Sequence, residues 1–172
     1  MSESVVKTYT DFVLPLSVIS KVDISRLLNE IERLDNELTA TVVRTKAGVS
    51  EHTDATPSGQ LSDFLEQNKL TLATSRERSN LISELRLLKD KVPIIHMTFA
   101  VPADRESLGQ LVGWLRSSVH QQAVITVGLQ PALIAGVYLR TPNHVHDFSL
   151  RAMLAGGHGL LVKELEMLRG SK

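Results

Sequence analysis

The chain contains no cysteine. That excludes a disulfide framework, a thiolate metal site and a cysteine nucleophile. Aromatic residues make up only 4% of the 172, so the core must be built from aliphatic side chains. No charge of one sign dominates either. The 19 basic and 19 acidic residues cancel to a formal net charge of zero, and nothing draws the whole molecule toward nucleic acid or an anionic membrane. No run of about 18 apolar residues occurs, the length that a bilayer-spanning helix requires. The opening stretch MSESVVKTYTDFVLPLSVIS does not read as a signal peptide: it lacks a basic flank, and Pro15 interrupts its short apolar part. What remains is globular. Hydrophobic residues reach 42%, and the length suits one domain or two small ones with a sizeable core.

Periodicity divides the chain near residue 92. Phe12 to Ile19 is apolar and branched, as a short strand or an extended arm would be, and Pro15 argues against a central strand. Ile24, Leu27, Leu28, Ile31, Leu34 and Leu38 then recur at steps of three and four. This spacing predicts a helix from about Asp23 to about Thr45, capped by Ser20 or Asp23. Lys46 to Gln60, KAGVSEHTDATPSGQ, has the Gly, Ser, Thr, Asp and Pro content of a flexible connection. Leu61, Phe64 and Leu65 suggest an amphipathic turn or two. Thr74 and Glu77 form a T-x-x-E capping box, opening a helix with Leu81, Ile82, Leu85 and Leu88 on one face that Pro93 ends. Residues 1–92 are thus expected to form a mainly helical domain of two main antiparallel helices.

Beyond Pro93 the period shortens. IIHMTFAV, AVITVGL, LIAGVYLR and HVHD read as strands, with a turn at Thr141-Pro142-Asn143 between the last two. A helix capped by Asp104 is expected to run to about Val119, with Leu108, Leu111, Val112 and Leu115 on one face, and a final helix from about Phe148 to Arg169. Residues 93–172 are then a small β-α-β-β-β-α domain with helices on one side of a sheet, and the fold class is α+β.

The candidate chemistry is thin. His144 and His146 lie two apart on a strand and share a face, which is how a zinc site could start, but no third ligand is recognisable nearby. Ordinary strand histidines explain them better. Gly156-Gly157-His158-Gly159 superficially suggests a phosphate loop. It sits inside a helical pattern with no G-K-[ST] after it, so a kink or a close packing point is expected instead. Ser149 near Asp147 lacks a G-x-S-x-G elbow. Asp147 is better placed as a helix N-cap accepting from the Ser149 or Leu150 amide, with Arg151 four residues on as its ion-pair partner. Arg76, Arg78, Arg86, Lys89 and Lys91, set among Glu77, Glu84 and Asp90, read as a solvated face. No group of residues supplies nucleophile, base and oxyanion donors together. The chain is expected to be non-catalytic, with no cofactor and no metal.

One stretch is more specific. LQPALIAGVYLRTPNHVHDFSLRAML resembles the C-terminal signature of the delta subunit of F-type ATP synthases, the oligomycin sensitivity-conferring protein family. The shared pattern is a small-Gly pair, Ala135-Gly136, in an apolar strand running to Arg140. A short turn follows, then a second strand ending at Asp147, with Ser149, Leu150, Arg151 and Leu154 in the family's order. HMTFAVPADRESLGQLVGWL resembles the family's strand-then-helix opening of the same domain. The resemblance covers about residues 93–172. The chain departs from the pattern at Phe148, where the family usually has Gly, at Gln130, where it has an acidic residue, and at the Gly156–Gly159 run. Residues 1–92 do not resemble the family's six-helix bundle.

The resemblance implies a stator subunit of a proton-translocating rotary ATP synthase, linking the peripheral stalk to the catalytic head and resisting rotor torque. Helices of a b-type stalk subunit would dock on the last helix, where Leu160, Leu161, Leu165 and Leu168 are the implied contacts. The catalytic-head subunits would be the second partner. Asp147, Ser149 and Arg151 would set helix geometry rather than touch a ligand. The implied location is the cytoplasmic face of the inner membrane, reached through the complex, with no nucleic acid and no direct membrane insertion. Two rival functions stay open: a self-associating helical scaffold with a divergent delta-like domain, and a zinc hydrolase built on His144 and His146.

Overall fold

The computed structural model describes residues 7–47, 56–141 and 143–170, with backbone alone at residues 158, 160, 161, 164, 165 and 168–170. The chain is α+β, as the periodicity predicts. Its elements are a 3-10 turn at Tyr9–Asp11, helices α1 (Lys21–Lys46), α2 (Gly59–Asn68) and α3 (Ser75–Lys91), strand β1 (Ile94–Phe99), helix α4 (Arg105–Ser118), and strand β2 (Val124–Leu129). A second 3-10 turn at Pro131–Leu133 precedes β3 (Gly136–Arg140), β4 (Val145–Ser149) and helix α5 (Leu150–Gly170). These form two compact units, Met1–Pro93 with Leu108–Val124, and Ile94–Ser107 with Ile125–Lys172.

In the first unit α1 starts where two cap candidates meet. Ser20 is the N-cap, its hydroxyl accepting from the Asp23 amide at 3.4 Å, and the Asp23 carboxylate accepts in return from the amides of Ser20 at 2.9 Å and Ile19 at 3.0 Å. The same reciprocal box opens α3, between Thr74 and Glu77. Helix α3 ends at Lys91, because Val92 before Pro93 is pushed to an extended conformation. Arg78 of α3 pairs with Asp35 of α1 at 2.6 Å, and Arg86 with Glu32 at 2.6 Å. The numbers fall along one helix as they rise along the other, so the two are antiparallel. Arg78 is buried, and it also donates to the Leu72 carbonyl. It therefore belongs to the interior and not to a solvated basic face. The stretch at Leu61–Leu65 is more than a turn or two. Helix α2 has ten residues because Leu61, Phe64 and Asn68 all reach the core.

Phe12 to Ile19 forms no strand. Its backbone groups are satisfied by side chains instead. Asn68 takes both the amide and the carbonyl of Val13, each at 2.8 Å. Arg116 of α4 donates to the carbonyls of Leu14, Pro15 and Val18, Gln122 to those of Tyr9 and Phe12, and Gln60 to that of Ser17. This lets Phe12, Leu14, Val18 and Ile19 enter the core with the carbonyls of Phe12, Leu14 and Val18 and the amides of Phe12, Val18 and Ile19 paired. Burial lowers the Arg116 pKa to about 10, which leaves the guanidinium charged and able to donate at neutral pH. Phe12 meets Phe64 edge-to-face, ring centroids 5.5 Å apart.

In the second unit the sheet order is β2-β1-β3-β4. Strand β3 is antiparallel to both β1 and β4. The bonds Val124 N to Pro93 O and Gln130 N to Phe99 O advance in step, so β2 runs parallel to β1. Direct cross-strand partners share a face. Met97, Leu139 and His146 lie on one face, while Thr98, Tyr138 and Asp147 lie on the other. Strand β4 and helix α5 both begin later than expected, the strand running through Ser149 and the helix starting at Leu150. Helix α5 continues through the Gly156–Gly159 run. A Cβ on Gly156, Gly157 or Gly159 would meet nothing within 4 Å, so these glycines mark no close packing point. Pro142 and residues 48–55 of the polar connection lie outside the described residues.

Candidate functional site: the corner of β3, β4 and α5

The chain reaches this corner through a strained turn. Ile134 has φ 65 and ψ −55, and the Ala135 amide donates to the Leu133 carbonyl at 2.7 Å, which closes a three-residue turn of the unfavourable hand. For a β-branched residue this conformation is costly, and its side chain is 71% exposed, so packing on the described residues does not compensate. Nothing in the sequence marks Ile134, since strain of this kind arises from how the next strand is docked.

Gly136 follows with φ +95. A Cβ there would lie 2.3 Å from the Phe148 carbonyl oxygen and 2.8 Å from the Ser149 Cα. Gly136 and Ser149 are direct partners in the ladder, and only glycine lets the two backbones close at this point. The neighbouring Ala135 carbonyl accepts from the Leu150 amide at 2.9 Å, so the small-Gly pair ties the start of β3 to the first residue of α5.

The helix start differs from the expected one. Asp147 is held in the β4 ladder opposite Tyr138, and its carboxylate accepts from the Ser149 amide at 2.9 Å rather than capping the helix. The N-cap is Ser149, whose buried hydroxyl accepts from the Ala152 amide at 3.2 Å. The Ser149 side chain and amide, with the charge of Arg151 adding to them, hold the Asp147 carboxyl below its ordinary pKa. Phe148 needs no positive φ, because it sits in the ladder opposite Val137. Its ring stacks on His146, centroids 5.8 Å apart, and His146 faces His144 at 6.2 Å. The histidines thus belong to an exposed ring row along β4. Among the described residues no three potential ligands cluster as a metal site would require.

Gly136, Ala135, Asp147, Ser149 and Arg151 therefore meet at one corner. Arg140 does not, since it pairs with Val145 at the far end of the hairpin. Leu154 is one turn into α5 and 52% exposed. Leu160, Leu161, Leu165 and Leu168 lie in α5 by their backbone, and their side chains are outside the described residues. Among the described side chains of α5 none is buried, and the large apolar ones Met153 and Met167 are 69% and 58% exposed. Among the described residues no helix is long and apolar enough to cross a membrane. No protein-family model matches this chain, and no curated protein matches it.

Proposed function

We propose that this chain is a non-catalytic stator subunit of a rotary F-type ATP synthase, with α5 as the seat for a helix of the peripheral stalk. The observation that carries this is the exposed apolar surface of α5, at Met153, Leu154 and Met167, on a helix anchored by a built corner at Gly136 and Ser149. Exposed apolar side chains in a helical row suit a partner helix. The delta-like signature in residues 129–154 supplies the identity of that partner, a b-type stalk subunit. The subunit performs no chemistry. It sits on the cytoplasmic side and reaches the inner membrane through the complex. The first unit is the candidate contact with the catalytic head. Two modest interfaces in one assembly reinforce each other through effective concentration.

Pull-down of the full chain from native membranes, with mass spectrometry of what accompanies it, is the test. Stalk and head subunits are the expected companions. Recovery of the chain alone, as a stable dimer by light scattering, would replace the stator by a self-associating scaffold in which a second copy covers α5.

A further inference from the structure

The geometry points to a phosphate-binding site on the polar face of the sheet in the second unit, away from the corner described above. A depression of about 540 Å³ lies there, lined by His96, Thr98, Tyr138, Arg140 and Thr141. The register explains why these side chains converge. His96 of β1 is directly opposite Arg140 of β3, and Thr98 is directly opposite Tyr138. Gly128 of β2 adjoins Thr98 without a side chain, and a Cβ there would sit 3.2 Å from the Thr98 hydroxyl oxygen.

The chemistry of the lining is one-sided. Arg140 brings a guanidinium fork, Thr98 and Tyr138 bring hydroxyls, and His96 an imidazole. Among the described residues, none of these four side chains makes a hydrogen bond or an ion pair within the chain. Thr141 differs, because its hydroxyl already exchanges hydrogen bonds with the His144 backbone. Among the described residues no carboxylate lines the depression. The nearest acid across the ladder, Asp147 opposite Tyr138, is engaged by the Ser149 amide. A donor-rich surface with one fixed cation and no acid complements an oxyanion, and the guanidinium fork matches two phosphate oxygens at once. The depression opens to solvent, which leaves room beside the Tyr138 ring for an organic body carried on the phosphate.

The test uses the full chain and amide shift perturbation by NMR, with inorganic phosphate, adenosine monophosphate and sodium acetate at matched ionic strength. Saturable shifts at His96, Thr98, Tyr138 and Arg140 with both phosphate probes, and weaker ones with acetate, are expected. Arg140→Gln should weaken phosphate binding by about tenfold, and Arg140→Lys should restore only part of it, because lysine lacks the fork. Arg140 is exposed, so both variants should fold, which an unchanged amide spectrum outside the depression would verify. Shifts that acetate reproduces equally, no saturable shift at all, or undiminished binding by Arg140→Gln would overturn the assignment.

Discussion

Helices α3 and α5 are both amphipathic by sequence, yet they end in opposite situations. Helix α3 buries Leu81, Leu85 and Leu88 and commits Arg78 to an ion pair with α1. Helix α5 is longer, at 21 residues against 17, and leaves every described side chain at least partly open. A three-and-four spacing of apolar residues therefore identifies a helix and its sticky face, but not whether the same chain fills that face. In the first unit it does, with Ile24, Leu27, Ile31 and Leu34 of α1 as the partners. In the second unit the described apolar side chains of α5, Met153, Leu154 and Met167 among them, are exposed.

Substitutions can break or sharpen this contrast. The largest loss is expected for Phe64→Ala in the first unit, about 3–5 kcal/mol in urea unfolding, since the ring is fully buried against Phe12. A loss below about 1 kcal/mol would mean that this core is not the cooperative body described here. Gly136→Ala should cost about 2–3 kcal/mol, because both the positive φ and the contact with the Phe148 carbonyl forbid a Cβ. A stable alanine variant with an unchanged β3–β4 ladder would refute the close approach. Ser149→Ala should cost about 1 kcal/mol, the worth of a helix cap, and should raise hydrogen exchange at Ala152.

Acid should have a smaller, graded effect. Hydrogen bonds hold three carboxyls below their ordinary pKa: the Thr74 amide acts on Glu77, the Ser107 hydroxyl on Asp104, and the Ser149 hydroxyl on Asp147. The folded state prefers these groups ionised. Their contribution is present above the ordinary carboxylate pKa and is lost as pH falls through the lowered folded-state values. Thermal unfolding should show a midpoint that drops across that acidic window, and Asn at positions 104 and 147 should flatten the drop. Leu154→Ser should change stability least, by less than about 0.5 kcal/mol, while removing stalk subunits from the pull-down. Destabilisation by 2 kcal/mol or more, on the scale of a core truncation, would show that α5 is packed within the chain after all.

Much of the fold could be read from local signals. The Thr74–Glu77 box, the Ser20–Asp23 pair, Pro93 and the alternation after it act over a few residues, and the structure places elements there. The corner was legible in part. Ala135-Gly136 stood out only through the family resemblance, its close approach to Ser149 appears only in the ladder, and the cap moved from Asp147 to Ser149 because β4 runs two residues further than HVHD suggests. Other features depend on partners distant in sequence. Arg116 reaches carbonyls about a hundred positions away, which no window of residues discloses. Arg78 reads as a surface charge until Asp35 is beside it.

The sequence by itself determined the helical first part and the β-α-β-β-β-α order, because propensity, capping and period are short-range. Only the tertiary structure decided that the Phe12–Ile19 arm is pinned by Arg116, Asn68 and Gln122, that Ile134 takes a positive φ, and that the described side chains of α5 stay open. Burial and backbone strain are properties of what lies against a residue, and that is settled by contacts between segments remote along the chain.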